Sequence, residues 1–409
     1  MQATRLLMAL LVVLSLSAIL TATAAYTRAS PESATDLSTT NVKNKIKLLT
    51  VTNNDMARTL LTDLPREPVI LLIDLSKIDS GLAASLIKVQ ARKGLVAALL
   101  VGKSTELKQV LQDAGINVVA IPERAIRLSK DNGRIIESKH IEDLALGIIY
   151  YNGRVKYYWS IHDTGSKLAN NIDSVYYKMA ADLGRIMPID EFGVLAPTGG
   201  DVDIAFAQAD STYIVYPYGQ LSIRDIVDDL NDINPNYHWR YYRFKSQIIP
   251  GAILYNSGWR NAAIVSEIDV DYYTPLGFLS DYDPTTTAGT TSVSVTLSVS
   301  ASGDRDGISP GVSLAVSWTY SIPDVVVRDL SDFSQEMAKW IHYINPAALV
   351  GVSTYLAEPG AIFRLPEGGT YSWKTVTLGQ WAKLNCFLIF CSWEYTDFYG
   401  LEMTWIVSG

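Results

Sequence analysis

Residues 284–323 constrain this chain more than any other segment. From Pro284 to Gly303 there is no charged side chain, and none from Ile308 to Pro323. Within both flanks apolar and small residues alternate. Val293, Val295, Leu297, Val299 and Ala301 share one face of an extended strand, and Ser292, Ser294, Thr296, Ser298 and Ser300 share the other. After a turn, Val312, Leu314, Val316, Trp318 and Tyr320 face one way, and Ser313, Ala315, Ser317 and Thr319 the other. The charges Asp304, Arg305 and Asp306 are confined to the glycine-bounded tip 303–307. The pattern predicts an amphipathic hairpin over 286–322.

Two readings of that hairpin stand side by side. An ordinary half-buried hairpin puts valines on a core and serines in water. Its wet face usually carries Lys or Glu, and here there is none. A strand that crosses a bilayer needs about 9–11 residues when tilted, with a lipid face alternating with a lumen face. On that reading Val293, Val295, Leu297, Val299, Val312, Leu314, Val316 and Trp318 face lipid, and Ser294, Thr296, Ser298, Ser313 and Ser317 face the lumen. Trp318 and Tyr320, at the end away from the tip, suit a membrane interface. One hairpin cannot close a barrel, so several identical chains would each contribute one.

The N-terminus reads as a secretory leader over residues 1–24. Arg5 precedes the apolar run 6–20, and Ala22-Thr23-Ala24 offers a small-residue cleavage site. The apolar run is shorter than a spanning helix needs. A Ser/Thr/Pro-rich lead-in occupies 25–42. In an oxidising compartment Cys386 and Cys391 must be weighed as a disulfide. Residues five apart on one strand point to opposite faces, so two buried thiols in a core strand is the favoured expectation.

Composition excludes more than it assigns. With 42 acidic against 34 basic side chains the net charge is -8, and nothing supplies a basic stripe for nucleic acid. Four histidines and two cysteines show no metal-ligand spacing, and no metal or cofactor is expected. Val101-Gly102-Lys103-Ser104 imitates the end of a phosphate loop, but Ala97 stands where that motif needs glycine. His162-Asp163 has no nucleophile beside it. The carboxylate pairs Asp201/Asp203 and Asp269/Asp271 share strand faces, and solvation explains them. An enzyme is therefore not expected.

The fold class expected is α+β. Strand and helix alternate over 43–125, where Val69-Ile-Leu-Leu-Ile-Asp74 reads as a strand covered on both faces, giving an α/β domain with a short parallel sheet. Residues 126–192 form a connecting hairpin, turning on Asn152-Gly153, and a helix. From 193 to 409 the period is two and six of the nine tryptophans lie at 318 or beyond, as in an antiparallel β-sandwich carrying the hairpin.

The hairpin and the strands after it resemble a known family. Tyr320-Ser-Ile-Pro323-Asp324-Val-Val-Val-Arg328 is similar to the junction between stem and cap in the leukocidin/hemolysin β-barrel pore-forming toxins. Trp340 with Asn345 resembles the next cap strand of that family, and the run from Tyr399 to Trp405 its last one. The run from Val69 to Asp79 resembles the α/β pro-domain of the vibrio-type cytolysin branch. The resemblance implies a secreted protein that meets a target-cell lipid membrane and assembles with itself into a heptamer-like ring. It implies roles at the stem-cap junction for Tyr320, Pro323 and Asp324. The chain after Pro323 is shorter than the family's cap and rim, so the rim's lipid pocket does not carry over. Trp381, Trp393 and Tyr399 are candidates for a membrane rim, though core packing accounts for them equally. The reading from another class is a cell-surface structural or adhesive β-sandwich without membrane insertion. A secreted hydrolase stands third.

Overall fold

The computed structural model describes residues 46–65, 69–162, 168–186, 206–230, 237–273, 277–287, 290–300, 313–366, 368–387 and 390–408. The expected leader and lead-in, Asp163, Asp201, Asp203, Val312 and the tip 303–307 lie outside them.

Three strands begin the described chain. β1 (Lys47–Val51), β2 (Val69–Asp74) and β3 (Leu95–Lys103) pair in parallel, and the last two are nearly continuous aliphatic runs. Helices α1 (Asn54–Thr62) and α2 (Ser80–Arg92) connect them. Asn53 and Asp79 cap these helices, their side chains accepting from Met56 N and from Gly81 and Leu82 N. α3 (Ser104–Asp113) follows β3. Its cap position is Lys103, and Ser104 is its first helical residue. Gly115, at φ 82°, ends it.

The next strand leaves this series. β4 (Val118–Leu128), although within the expected α/β domain, does not join the parallel sheet; it runs antiparallel to β21 (Phe398–Ser408) in a second sheet and turns back into β5 (Ile135–His140). The place beside β3 goes to β6 (Asp143–Tyr151), antiparallel over nine residues. β6 turns into β7 (Arg154–His162) through Asn152 and Gly153 at φ 50° and 69°, the two-residue turn that Asn-Gly favours. α4 (Leu168–Ile186) packs on this hairpin. Gly147 lies under it, where a Cβ would sit 2.5 Å from Met179 Sδ.

The first sheet then continues through β8 (Phe206–Val215), β9 (Gly219–Leu230), β10 (Tyr237–Pro250), β18 (Gly360–Pro366) and β12 (Phe278–Asp283), with β17 (Tyr355–Ala357) beside β10. Among the described residues it has 11 strands. The second sheet orders β15 (Val325–Asp329), β16 (Met337–Ile344), β11 (Arg260–Asp269), β19 (Thr370–Phe387), β21, β4 and β5, and β20 (Phe390–Tyr395) pairs with the far end of β19. The parallel strands thus share one sheet with sandwich strands, and the boundary expected at 125 falls inside β4. A detachable N-terminal pro-segment would have to give up the whole β3 and β6 pairing.

Aromatic rings fill the space between the sheets. Tyr242 meets Trp405 at 5.7 Å between ring centroids, Phe244 meets Trp340 at 6.1 Å, and Phe363 meets Trp373 at 5.1 Å. Trp373 and Trp405 stack at 5.9 Å. All six are fully buried. Rings of this size, edge-on and stacked, supply most of a sandwich core's apolar burial.

Cys386 and Cys391 correct the expectation of free thiols: they form a disulfide, and both are exposed. They stand opposite one another in the register of β19 and β20. Phe387 pairs with Phe390 across these antiparallel strands, so the five-residue spacing spans two strands and not one.

Trp405→Ala removes a fully buried ring from both its stacked and its edge-on partner. It should cost about 3–5 kcal/mol in urea unfolding at unchanged slope. A loss below about 1 kcal/mol would show that the two sheets do not depend on these rings.

Candidate functional site

The charge-free segment forms a two-stranded sheet of its own, β13 (Ser292–Ser300) and β14 (Ser313–Ser321), laddered to neither large sheet. Val293 stands opposite Tyr320, Val295 opposite Trp318, Leu297 opposite Val316 and Val299 opposite Leu314. Ser294, Thr296, Ser298 and Ser300 stand opposite Thr319, Ser317, Ala315 and Ser313. Because side chains alternate with period two, this register gathers the apolar set on one side. Val293, Val295 and Leu297 are buried, and Val316 and Trp318 are half-buried against the sandwich core. Ser294, Thr296, Ser298 and Ser317 are exposed. The side chains of Val299, Ser313 and Leu314 lie outside the described residues.

Two carboxylates replace a ladder along β13. Thr296 N donates to Asp283 Oδ2 at 2.7 Å, and Ser298 N donates to Asp281 Oδ2 at 2.6 Å. Carboxylates two apart on β12 share a side, as do edge N–H groups two apart on β13, so the two pairs match in antiparallel register. The donors are satisfied while the side chains keep the strands from merging into one sheet. Burial is the largest influence on both carboxyls and raises them above 3.8, against the lowering effect of the backbone donors.

Trp318 wedges the other strand in place. Its indole Nε1 donates to Glu358 O at 2.8 Å, and the Arg243 guanidinium lies 4.6 Å from the ring centroid. Arg243 is ion-paired with Glu358. Gly360 leaves the space for the ring, since a Cβ there would be 2.5 Å from Trp318. Next to it, Tyr320 Oη lies 2.8 Å from Nε2 of His342, which is fully buried on β16. Burial pushes the imidazole down to about 3.

Below the hairpin both connecting segments are pinned. Trp340 Nε1 donates to Pro284 O at 2.9 Å on the inbound segment. Asn345 N donates to Asp324 O at 3.2 Å on the outbound one. Thr287 and Val327 join the two segments by exchanging backbone bonds of 2.9 and 3.1 Å. Past Pro323 the chain turns through Asp324 at φ 55°, closed by Val325 N on Ile322 O at 3.2 Å.

The candidate rim aromatics are placed otherwise than expected. Trp381 is fully buried with its indole donating to Ile249 O at 3.3 Å, and Tyr399 is buried under the Arg127 guanidinium. Both are core residues. Trp393 is half-buried beneath Arg260. Of the acidic pairs, Asp269 lies 3.5 Å from Lys374 and is pushed up to about 6, chiefly by burial. Sequence reasoning missed Asp281, Asp283, Arg243, Glu358 and His342. The signal for the first two was Asp-Tyr-Asp immediately before the charge-free run; Arg243 and Glu358 left none.

No family model and no curated protein matches this chain. Among solved structures it is similar to Clostridium perfringens delta-toxin, with a TM-score of 0.30 and 10% identity, covering 49% of this chain and 86% of that one. It is likewise similar to a chain described as a pore forming protein, with a TM-score of 0.31 and 10% identity, covering 50% of this chain and 91% of that one.

Replacing both Asp281 and Asp283 by Ala strands two donors at about 1–3 kcal/mol each. Exchange of the Thr296 and Ser298 amides should then accelerate roughly ten- to a hundredfold. Asn at both positions keeps an acceptor without a charge and should leave them protected. Unchanged exchange in the Ala variant would show that the carboxylates do not hold the strand.

His342 sets a pH dependence of the opposite sign to the aspartates. Its depressed value means the seated state holds it neutral, while an uncovered imidazole charges below 6.5. The stability it contributes is present above 6.5 and is lost as pH falls toward 3. The aspartates, raised when seated, have the opposite dependence: their contribution to the seat grows as pH falls. Amide exchange at Tyr320 and Ile322 should rise as pH drops below 6.5 and should lose that dependence in His342→Gln. An identical profile in both proteins would remove His342 from the account.

Proposed function

We propose that this is a secreted pore-forming protein whose seated hairpin leaves the sandwich and joins hairpins of other copies in one membrane-spanning β-barrel. The observation that carries the reading is the hairpin's construction. Its apolar face is buried in protein, its hydroxyl face is wet, and side chains hold its edge where a ladder would be permanent.

The energetics of release are favourable in a ring and unfavourable alone. Val293, Val295, Leu297, Val316 and Trp318 would exchange a protein core for lipid, so their apolar area would be buried at the end as at the start. The edge N–H groups now held by Asp281 and Asp283 would bond to the hairpin of a neighbouring copy, and no edge would face lipid. Each strand has nine residues, within the range of about 9–11 that a tilted membrane strand needs. Ser294, Thr296, Ser298 and Ser317 would line a wet lumen. Tyr320, Pro323 and Asp324 would serve as the fixed junction, because the pinned segments below the hairpin can stay with the sandwich. The partners are a target-cell membrane and further copies in a heptamer-like ring. No helix among the described residues is long and apolar enough to cross a membrane.

Dye release from liposomes by the mature protein tests this with two adjacent residues. Lys on the lipid face of a barrel costs about 2–4 kcal/mol near mid-membrane, repeated in each copy, whereas a lumen Lys costs little. Val316→Lys should therefore lose release by at least about tenfold. Ser317→Lys should keep release and shift a planar-bilayer current toward anions. Equal release by the two variants, or none from the native chain, would contradict the reading.

A further inference from the structure

A second apolar surface lies at the far end of β19. Beyond Ala382, which still pairs with Arg260 of β11, this strand pairs only with β20. The last five pairs, from Lys383 with Glu394 to Phe387 with Phe390, form a two-stranded arm projecting past the sheet. Phe387 is 76% exposed and Phe390 73%. Leu384, on the same arm, is 41% exposed. A free two-stranded hairpin is marginal in water, and large exposed rings add to its cost. The disulfide between Cys386 and Cys391, one pair behind the two phenylalanines, holds this unfavourable surface in register.

The arm carries its charges at the back. Behind the phenylalanines and the disulfide come the uncharged polar pair Asn385 and Ser392, then Leu384 with Trp393, and last Lys383 with Glu394, whose carboxylate accepts from Asn385 Nδ2 at 2.6 Å. At about 3.4 Å per residue, the charged pair stands roughly 14 Å behind the tip. An interfacial element buries its apolar part about 5–10 Å into the boundary between headgroups and acyl chains, which this spacing allows with the charges left in water. The apolar rings stand at the end of an arm that no third described strand flanks. A fluid acyl layer can close around such an end, whereas a protein partner would need a matching socket.

The surroundings continue the surface. α5 (Gly251–Leu254) is tied to the start of β11 by Ala252 N donating to Trp259 O at 2.8 Å, and its Ile253 is 56% exposed. The same end of the second sheet carries Ile344, which pairs with Val325 where the hairpin's outbound segment rejoins the sandwich. The arm and the base of the hairpin therefore lie at one end of that sheet.

The geometry points to the disulfide-closed arm of β19 and β20 as a lipid anchor, which seats the soluble chain on a bilayer before the hairpin leaves. Its purpose rests on the pore reading, but its test does not. Co-sedimentation with phosphatidylcholine vesicles, with and without an added anionic lipid, compares the native chain with Phe387→Ser combined with Phe390→Ser and with Val316→Lys. Both phenylalanines are exposed, so the double variant should unfold at the native midpoint. It should bind vesicles at least about tenfold more weakly. Val316→Lys should bind like the native chain while releasing dye at least about tenfold less. Undiminished binding by the double Ser variant would overturn the anchor and leave the pore reading standing. Native binding that depends on both phenylalanines but releases no dye would support the anchor and sink the pore. A native chain that binds neither vesicle would overturn the anchor and assign the arm to a protein partner.

Discussion

N–H groups on the outer edge of β13 must find acceptors, and in the seated hairpin Thr296 and Ser298 find carboxylates rather than a neighbouring strand. Much of the architecture turns on that substitution. A backbone ladder would have merged β13 into the sheet beside β12 and made the hairpin one more pair of sandwich strands. The carboxylates satisfy the donors at a greater separation, and they carry a charge that burial penalises. The hairpin is therefore bound by groups with an alternative in water. The same logic applies to Trp318, whose anchor is one indole bond and a guanidinium over its face.

Around this seat the sandwich is rigid by comparison. Six buried rings join the two sheets, and the parallel strands β1 to β3 extend one of them instead of standing apart. The segments that enter and leave the hairpin are fixed by Trp340, Asn345 and the bridge between Thr287 and Val327. A movable element on a fixed base needs this contrast in local stability.

Much of this was legible in the sequence, and the parts that were not have physical reasons. The hairpin was legible because period two and missing charge are local properties of 284–323. β2, β3 and the Asn152-Gly153 turn were legible for the same reason. The partner of β4 was not, because an aliphatic strand such as Val118 to Ile121 reads alike in a parallel and an antiparallel setting. The disulfide was misjudged because Phe387 and Phe390 looked like core residues of one strand, whereas they face water as a pair across two strands. Trp381 and Tyr399 could not be told from surface aromatics by pattern, since burial depends on which sheet lies opposite. The roles of Asp281 and Asp283 needed register between two strands, which no single segment encodes.

The central claim is that one face of β13 exchanges protein for lipid while the other stays in water. Single cysteines at successive positions 293–298, with the native disulfide intact, can carry a fluorescent label whose quenching is read on membrane-bound protein. The account predicts quenching by a lipid-borne nitroxide at 293, 295 and 297 and by aqueous iodide at 294, 296 and 298. Quenching by iodide at all six positions, or no alternation along the strand, would contradict it.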